Sequence, residues 1–193
     1  MDAVCVYCGS SDGADPAFAV ITERLGDALV AAGLTLVYGG ARNGLMGRLA
    51  DRVLAQNGDV IGVIPHALVA WEQAHPGLTE LHQVDTMHAR KQGMMARADG
   101  FIALPGGIGT LEEIFEMISW AQLGVHAKPC GFISVGGYYD ALIEFLDHSV
   151  AQGLMRRQTR EMILIESDPE VLLARMARYR SPVTHRWIDS AQT

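Results

Sequence analysis

Along almost the whole chain, short runs of apolar and β-branched residues alternate with stretches whose apolar positions recur at helical spacing. The apolar runs predict strands at Ala3–Tyr7, Thr35–Tyr38, Val60–Ile64, Glu80–Val84, Gly100–Leu104, Cys130–Ser134 and Met162–Ile165. The stretches between them predict helices over Pro16–Ala32, Gly44–Asn57, Met87–Ala98, Thr110–Leu123 and Tyr138–Gln152. A last helix is expected over Pro169–Arg178, with Asp168 as N-cap and proline in the first turn. Strands that are apolar throughout and alternate with helices imply an α/β fold. The expected architecture is a doubly wound parallel sheet of about seven strands with helices on both faces. No repeat, low-complexity stretch or Pro/Ser-rich linker divides the chain, so residues 1–193 are read as one domain. The tail from about residue 181 shows no clear pattern, which predicts a segment that is loose or packed on a partner.

In such sheets ligands sit beyond the carboxyl ends of the strands, beside helix N-termini. Three strand-to-helix junctions there are glycine-rich: Cys8-Gly9-Ser10-Ser11, Tyr38-Gly39-Gly40-Ala41-Arg42-Asn43-Gly44 and Pro105-Gly106-Gly107-Ile108-Gly109-Thr110. Together they predict a floor of exposed backbone N–H groups suited to an anion, typically a phosphate. In the third junction the glycines allow close approach of a ligand, and Thr110 opens the helix. Its buried stripe is Leu111, Ile114, Phe115 and Ile118, with Glu112, Glu113 and Glu116 on the other side. The structural alternative is a capping box in which Thr110 caps the helix and Glu113 reaches back, with first-turn acids favoured by the helix dipole. That alternative leaves the three preceding glycines unexplained.

In Met87-His88-Ala89-Arg90-Lys91 the two cations fall on one stripe with Met87, Met94, Met95 and Ala98, where a core stripe would place leucine or isoleucine. Burying them unpaired would cost several kcal/mol. Either they meet an anion, or the stripe faces solvent and the small residues Ala89, Gly93 and Ala96 pack on the sheet. Arginine offers a planar fork for a phosphate or ribose, and lysine a point charge.

Composition then removes several classes. With 22 Asp+Glu against 15 Lys+Arg, the net charge of −7 argues against a nucleic-acid-coating protein, and 49% hydrophobic residues against disorder. Three cysteines, Cys5, Cys8 and Cys130, fit a reducing cytosol better than a disulfide framework. Cys5 and Cys8 lie on a strand, where residues three apart point to opposite faces, so they are read as core or loop cysteines and not as a redox pair. The start shows no secretory pattern and no apolar stretch approaches a membrane span, so a cytoplasmic protein is expected, with no membrane partner. The histidines lack metal-site spacing, and neither a serine-hydrolase elbow, a P-loop nor a dinucleotide fingerprint is present. Only Lys91 and Lys128 are lysines, so a pyridoxal-phosphate decarboxylase would depend on one of them.

The pairing of Pro105-Gly-Gly-x-Gly-Thr-x-x-Glu113 with Met87-His-x-Arg-Lys91 resembles the LONELY GUY family. These are cytokinin riboside 5′-monophosphate phosphoribohydrolases, long labelled lysine decarboxylases. Segments along nearly the whole chain also look like the family, among them Cys8-Gly-Ser-Ser11, Gly44-Leu-Met-Gly47, Gly62-Val-Ile-Pro65, Ser119-Trp-Ala-Gln-Leu-Gly124 and Gly137-Tyr-Tyr-Asp140. The resemblance implies a Rossmann-like fold, a homodimer, and no metal or organic cofactor. It implies Arg90 and Glu113 as the catalytic pair, and Gly107, Ile108, Gly109 and Thr110 as the 5′-phosphate site, with Lys91 assisting. Glu72 and Ser119 match nucleotide-contacting positions, and Met87, Gly106, Leu111 and Glu112 complete the implied substrate-binding set. The methionines on the Arg90 helix would belong to the subunit contact. Ala41 stands where the family commonly has glycine, which predicts a looser approach of that loop to the ligand. The segment Glu72–Leu81 also departs from the family, which bears on the base preferred.

The implied reaction cleaves the base from ribose 5-phosphate. Positive charge develops at the anomeric carbon, and a neighbouring carboxylate can stabilise it and activate water. The alternatives are a broader AMP or GMP nucleosidase and, from another class, a non-catalytic nucleotide sensor.

Overall fold

The predicted strand runs become one parallel sheet, although the edge run Glu80–Val84 is neither apolar throughout nor buried. In a computed structural model that describes residues 1–69 and 73–183, β1 (Ala3–Tyr7), β2 (Thr35–Tyr38), β3 (Val60–Pro65), β4 (Glu80–Val84), β5 (Gly100–Ala103), β6 (Cys130–Ile133) and β7 (Ile163–Glu166) pair in the order β4-β3-β2-β1-β5-β6-β7. Every pairing is parallel, with Val4 of β1 opposite Leu36 on one side and Gly100 on the other. The helices are α1 (Pro16–Ala31), α2 (Gly44–Leu54), α3 (Met87–Arg97), α4 (Ile108–Gln122), α5 (Asp140–Ala151), α6 (Arg157–Glu161) and α7 (Pro169–Ala177).

The period-two alternation of the strands sorts their side chains onto two cores. Val4, Val6, Leu36, Tyr38, Ile102 and Ile133 pack on one face with Leu25 and Leu29 of α1, Leu49 of α2 and Leu172 of α7. Ala3, Cys5, Tyr7, Val37, Phe101 and Phe132 pack on the other with Met94 of α3, Ile114 and Met117 of α4 and Leu146 of α5. Cys5 and Cys8 fall in different cores and all three cysteines are free and buried, as the strand reading requires. Asp168 caps α7 as expected, its carboxylate accepting from the N–H groups of Glu170 and Val171. Among the described residues no helix is long and apolar enough to cross a membrane.

Four local readings change. α2 ends at Leu54, and Asn57 adopts a left-handed φ of 58° in the turn beyond it. A 3-10 turn over His66–Leu68 and the short helix α6 were not predicted. α4 begins at Ile108 with Gly107 as N-cap, so Thr110 is already inside the first turn and Glu113 lies in the second. The capping-box alternative is therefore not realised. Thr110 is 4% exposed, and its hydroxyl occupies space that a Cβ on Gly106 would need, 2.1 Å away.

The strand order reverses between β1 and β5, and the helices that follow these strands, α1 and α4, leave toward opposite faces. A crevice opens at the carboxyl ends of those strands, where Cys8-Gly9 and Pro105-Gly106 lie side by side. The two are tied together, the Gly9 N–H donating to the Pro105 carbonyl at 3.0 Å.

Candidate active site

The crevice holds a cavity of about 340 Å³ lined by Cys8, Ser10, Met46, Leu68, Met87, Arg90, Gly107, Ile108, Gly109, Thr110, Glu112 and Glu113. Two segments far apart in sequence, the start of α3 and the start of α4, supply most of its polar groups.

α3 begins at Met87 because Thr86 caps it, its Oγ1 accepting from the Ala89 N–H at 3.0 Å. Its buried stripe is Arg90 and Met94, not the small-residue face, and Ala96 is exposed. Arg90 is 5% exposed. Backbone carbonyls of β3 and of the residue that follows β2 receive its guanidinium. Nε donates to the Val63 carbonyl at 3.1 Å and Nη2 to the Gly39 carbonyl at 2.9 Å. A Cβ on Gly39 would lie 2.1 Å from Nη2, so the glycine makes room for the cation.

The α4 junction presents donors. Four successive carbonyls before and at the helix start are occupied internally: Leu104 by the Tyr139 hydroxyl, Pro105 by the Gly9 N–H, Gly106 by the Tyr138 hydroxyl and Gly107 by the Leu111 N–H. The cap residue Gly107 supplies no side-chain bond to the first-turn N–H groups. Those of Ile108, Gly109 and Thr110 have no partner within the helix and carry the positive end of its dipole. A Cβ on Gly107 or Gly109 would meet nothing within 4 Å, so no internal crowding or left-handed backbone demands glycine at either place. Space beside them is open to a ligand.

The other two junctions serve the scaffold in part, although Cys8 and Ser10 of the first line the same cavity. Gly9 donates to Pro105, Arg42 N–H donates to the Gln73 carbonyl, and Gly40 accepts from His75 N–H. Ala41 is fully buried in the core and bridges to Ala74, so its methyl does not set how closely a ligand approaches.

Glu113 lies at the cavity wall on α4, half-buried. Its negative charge is felt along the end of β1. Burial pushes the Cys8 thiol well above its ordinary range and the charge of Glu113 adds to the rise, so Cys8 stays a protonated thiol in the wall. Burial likewise raises Tyr7, with Cys5 and Glu113 adding to it.

Of the residues predicted for the site, Met87, Arg90, Gly107, Ile108, Gly109, Thr110, Glu112 and Glu113 line this one cavity. Gly106 and Leu111 are adjacent along the chain. Lys91 is not in the wall: its Nζ bridges Glu112 at 2.6 Å and Glu116 at 2.9 Å, joining α3 to α4. Ser119 is exposed further along α4. Glu72 falls outside the described residues, as does the tail beyond residue 183. Met94 is buried in the core, and Met95 is partly buried against it. Cys8 and Ser10 belong to the first glycine-rich junction, which the sequence pattern set beside the ligand, whereas Met46 and Leu68 were not foreseen in the wall.

Residues 46–176 match the family model described as "Possible lysine decarboxylase". A probable cytokinin riboside 5′-monophosphate phosphoribohydrolase of Oryza sativa subsp. japonica is 46% identical over 91% of this chain and 78% of its own length. The chain belongs to the LONELY GUY family. A cytokinin riboside 5′-monophosphate phosphoribohydrolase of Rhodococcoides fascians is 44% identical over 93% of this chain and 89% of its own length. One from Arabidopsis thaliana is 42% identical, over 91% and 81%. The architecture extends beyond the family. A molybdenum cofactor binding protein from Rippkaea orientalis superposes with a TM-score of 0.69 at 19% identity, covering 92% of this chain and 96% of that one. The molybdenum cofactor carrier protein of Chlamydomonas reinhardtii does so with 0.68 at 17%, covering 92% and 97%. At these identities the likeness concerns the fold alone.

Proposed function

We propose that this protein hydrolyses the N-glycosidic bond of N6-substituted adenosine 5′-monophosphates, releasing free base and ribose 5-phosphate. The observation that carries the reading is a single cavity in which a donor-only helix start faces a carboxylate and an arginine. The relatives, named as phosphoribohydrolases of cytokinin nucleotides, support the same reaction.

In this reading the 5′-phosphate sits on the N–H groups of Ile108, Gly109 and Thr110, in the space left open beside Gly107 and Gly109. Glu113, one turn deeper, faces the ribose. As the C1′–N9 bond breaks, its electron pair leaves with the base, and the carboxylate stabilises the positive charge left on the sugar. Glu113 also orients the attacking water and receives its proton, which then passes to the departing base. Arg90, held by the Val63 and Gly39 carbonyls, has its orientation set before the substrate arrives. Met46, Leu68, Met87 and Ile108 give the cavity an apolar side that suits a hydrocarbon N6 substituent. Lys91 supports this wall from behind by fixing Glu112 and Glu116.

The lysines do not fit pyridoxal phosphate, despite the family model's description. Lys91 is engaged by two carboxylates, and Lys128 donates to the Met95 carbonyl at the far end of the sheet. We further propose a cytoplasmic homodimer in which a second copy covers Met87 and Ile108, which are 45% and 82% exposed at the cavity. Light scattering showing a monomer at working concentration removes that part of the proposal.

Release of ribose 5-phosphate from isopentenyladenosine monophosphate, measured beside AMP, tests the reaction. Wild type is expected to favour the N6-substituted nucleotide, and equal rates would make it a broader purine nucleotide nucleosidase. Glu113→Gln is expected to lose about 10²–10⁴-fold in kcat while retaining nucleotide affinity. An unchanged rate sinks the assigned role of Glu113, and binding without turnover in wild type would leave a sensor.

A further inference from the structure

A glycine-rich loop keeps a fixed set of donors only if something holds its peptides still, and the Gly106–Gly107 peptide joins a residue packed closely on Thr110 and Gly9 to one with open space beside it. Neither flanking residue has a Cβ, and a Cβ on Gly107 would meet nothing within 4 Å. Rotating that peptide about its long axis would swap its N–H for its C=O, and no Cβ on either glycine blocks the turn. In the rotated state an oxygen, not a hydrogen, would face an incoming anion.

One contact opposes the rotation. The Tyr138 hydroxyl donates to the Gly106 carbonyl at 2.7 Å. In a planar trans peptide the C=O and the following N–H point in opposite directions, so anchoring the oxygen aims the Gly107 N–H the other way. The neighbouring carbonyls are held differently. Those of Pro105 and Gly107 accept backbone N–H groups, and that of Leu104 accepts the hydroxyl of buried Tyr139. The Leu104–Pro105 peptide has no N–H to aim, so Tyr139 secures the loop without orienting a donor.

The turn after β6 is built to deliver both tyrosines. Gly136 and Gly137 take left-handed φ values of 58° and 74°, and the Tyr139 N–H donates to Ser134 Oγ at 3.1 Å. The Tyr138 ring then stands edge-on to Tyr139 at 4.9 Å and to Phe18 of α1 at 5.2 Å. Its ring is thus placed by packing, while its hydroxyl serves the glycine loop.

We propose that Tyr138 is a positioning residue for the 5′-phosphate, its hydroxyl holding the Gly106–Gly107 peptide with the N–H toward the ligand. The proposal rests on the reading that this cavity takes a nucleoside 5′-monophosphate, and it assigns Tyr138 no contact with substrate.

The test compares wild type, Tyr138→Phe and Tyr139→Phe in three measurements: calorimetric affinity for ribose 5-phosphate, the ¹⁵N–¹H signal of Gly107, and kinetics on AMP and on adenosine. For Tyr138→Phe, the Gly107 signal is expected to move in the free protein and the affinity to fall about tenfold. KM for AMP should rise with kcat little changed, while kcat/KM for adenosine and the melting temperature stay as in wild type. Tyr139→Phe is expected to lower the melting temperature and leave the affinity near wild type. An unchanged affinity and Gly107 signal in Tyr138→Phe would overturn the proposal, as would an equal loss of affinity in both variants. A wild-type protein that binds no ribose 5-phosphate and handles AMP and adenosine alike would instead overturn the functional reading beneath it.

Discussion

Two glycines of the second junction lack side chains for unlike reasons, and the difference separates activity from stability. At Gly39 the obstacle to a Cβ is the tip of Arg90, a movable group, and the backbone there is not left-handed. Gly39→Ala should therefore fold, with the guanidinium pushed out of place. Misplacement by about 1 Å can cost on the order of a hundredfold in rate. We expect kcat/KM to fall by that order with little change in melting temperature. At Gly44, φ is +56° and a Cβ would lie 2.4 Å from the backbone of Ser10 and Ser11. Gly44→Ala is expected to lower the melting temperature clearly, because no flexible atom can yield. Parallel losses of stability in both variants would show that Gly39 acts only through the fold. None of this was visible along the chain. The pattern placed a cation on a buried stripe and demanded a partner for it, but Val63 and Gly39 lie 27 and 51 residues away from Arg90. Only the assembled sheet brings their carbonyls together.

Seen as elements, α3 and α4 carry the site between them, and Lys91 is a charged link from one to the other. Its Nζ reaches two carboxylates one turn apart on α4, and only 14% of its side chain is exposed. Burial disfavours its charge, yet the hydrogen bonds and charges of Glu112 and Glu116 outweigh this and hold the ammonium above the ordinary lysine range. Lys91→Met leaves the partly buried Glu116 uncompensated, and we expect a loss of about 1–2 kcal/mol in denaturant unfolding. A raised folded-state pKa contributes fully below the unfolded value and is lost as pH rises through the folded one. The gap between wild type and variant should therefore stay constant across neutral pH and narrow above about pH 10. A variant with wild-type stability but sharply weaker ribose 5-phosphate binding would return Lys91 to the phosphate. The elements themselves were largely legible, because each strand run and each helical stripe is local. The start of α4 was not. Thr110 has the chemistry of a cap, but the open space at Gly107 and Gly109 lets the helix begin two residues earlier, and the hydroxyl turns back toward Gly106. The short α6 carries too few positions to show a period.

Across the whole molecule, chemistry and stability occupy opposite ends of the sheet. The cavity lies at the carboxyl ends of β1 and β5, whereas the amino ends of β5 and β6 are closed by the turn carrying His126 and Lys128. There His126 packs on Phe101 at 5.3 Å, its Nδ1 accepts from the Lys128 N–H at 3.2 Å, and the Lys128 ammonium donates to the Met95 carbonyl of α3. Burial, with Lys128 adding repulsion, pulls the imidazole down to about 4. The group is thus neutral in the folded protein over a range where it is protonated in the unfolded chain. For a depressed folded-state pKa, the favourable balance is complete above the unfolded value near 6.5 and is lost as pH falls through the folded one. Each unit corresponds to about 1.4 kcal/mol, so this one residue should withdraw about 3 kcal/mol of stability between pH ~6.5 and ~4. His126→Gln, which cannot take up a proton there, is expected to flatten the acid limb of melting temperature against pH. It should leave the pH dependence of kcat/KM unaltered, since the turn is separated from the cavity by the length of the strands. An acid limb that keeps its slope in the variant would move the destabilisation to other groups. A shifted activity profile would mean instead that the two ends of the sheet are coupled.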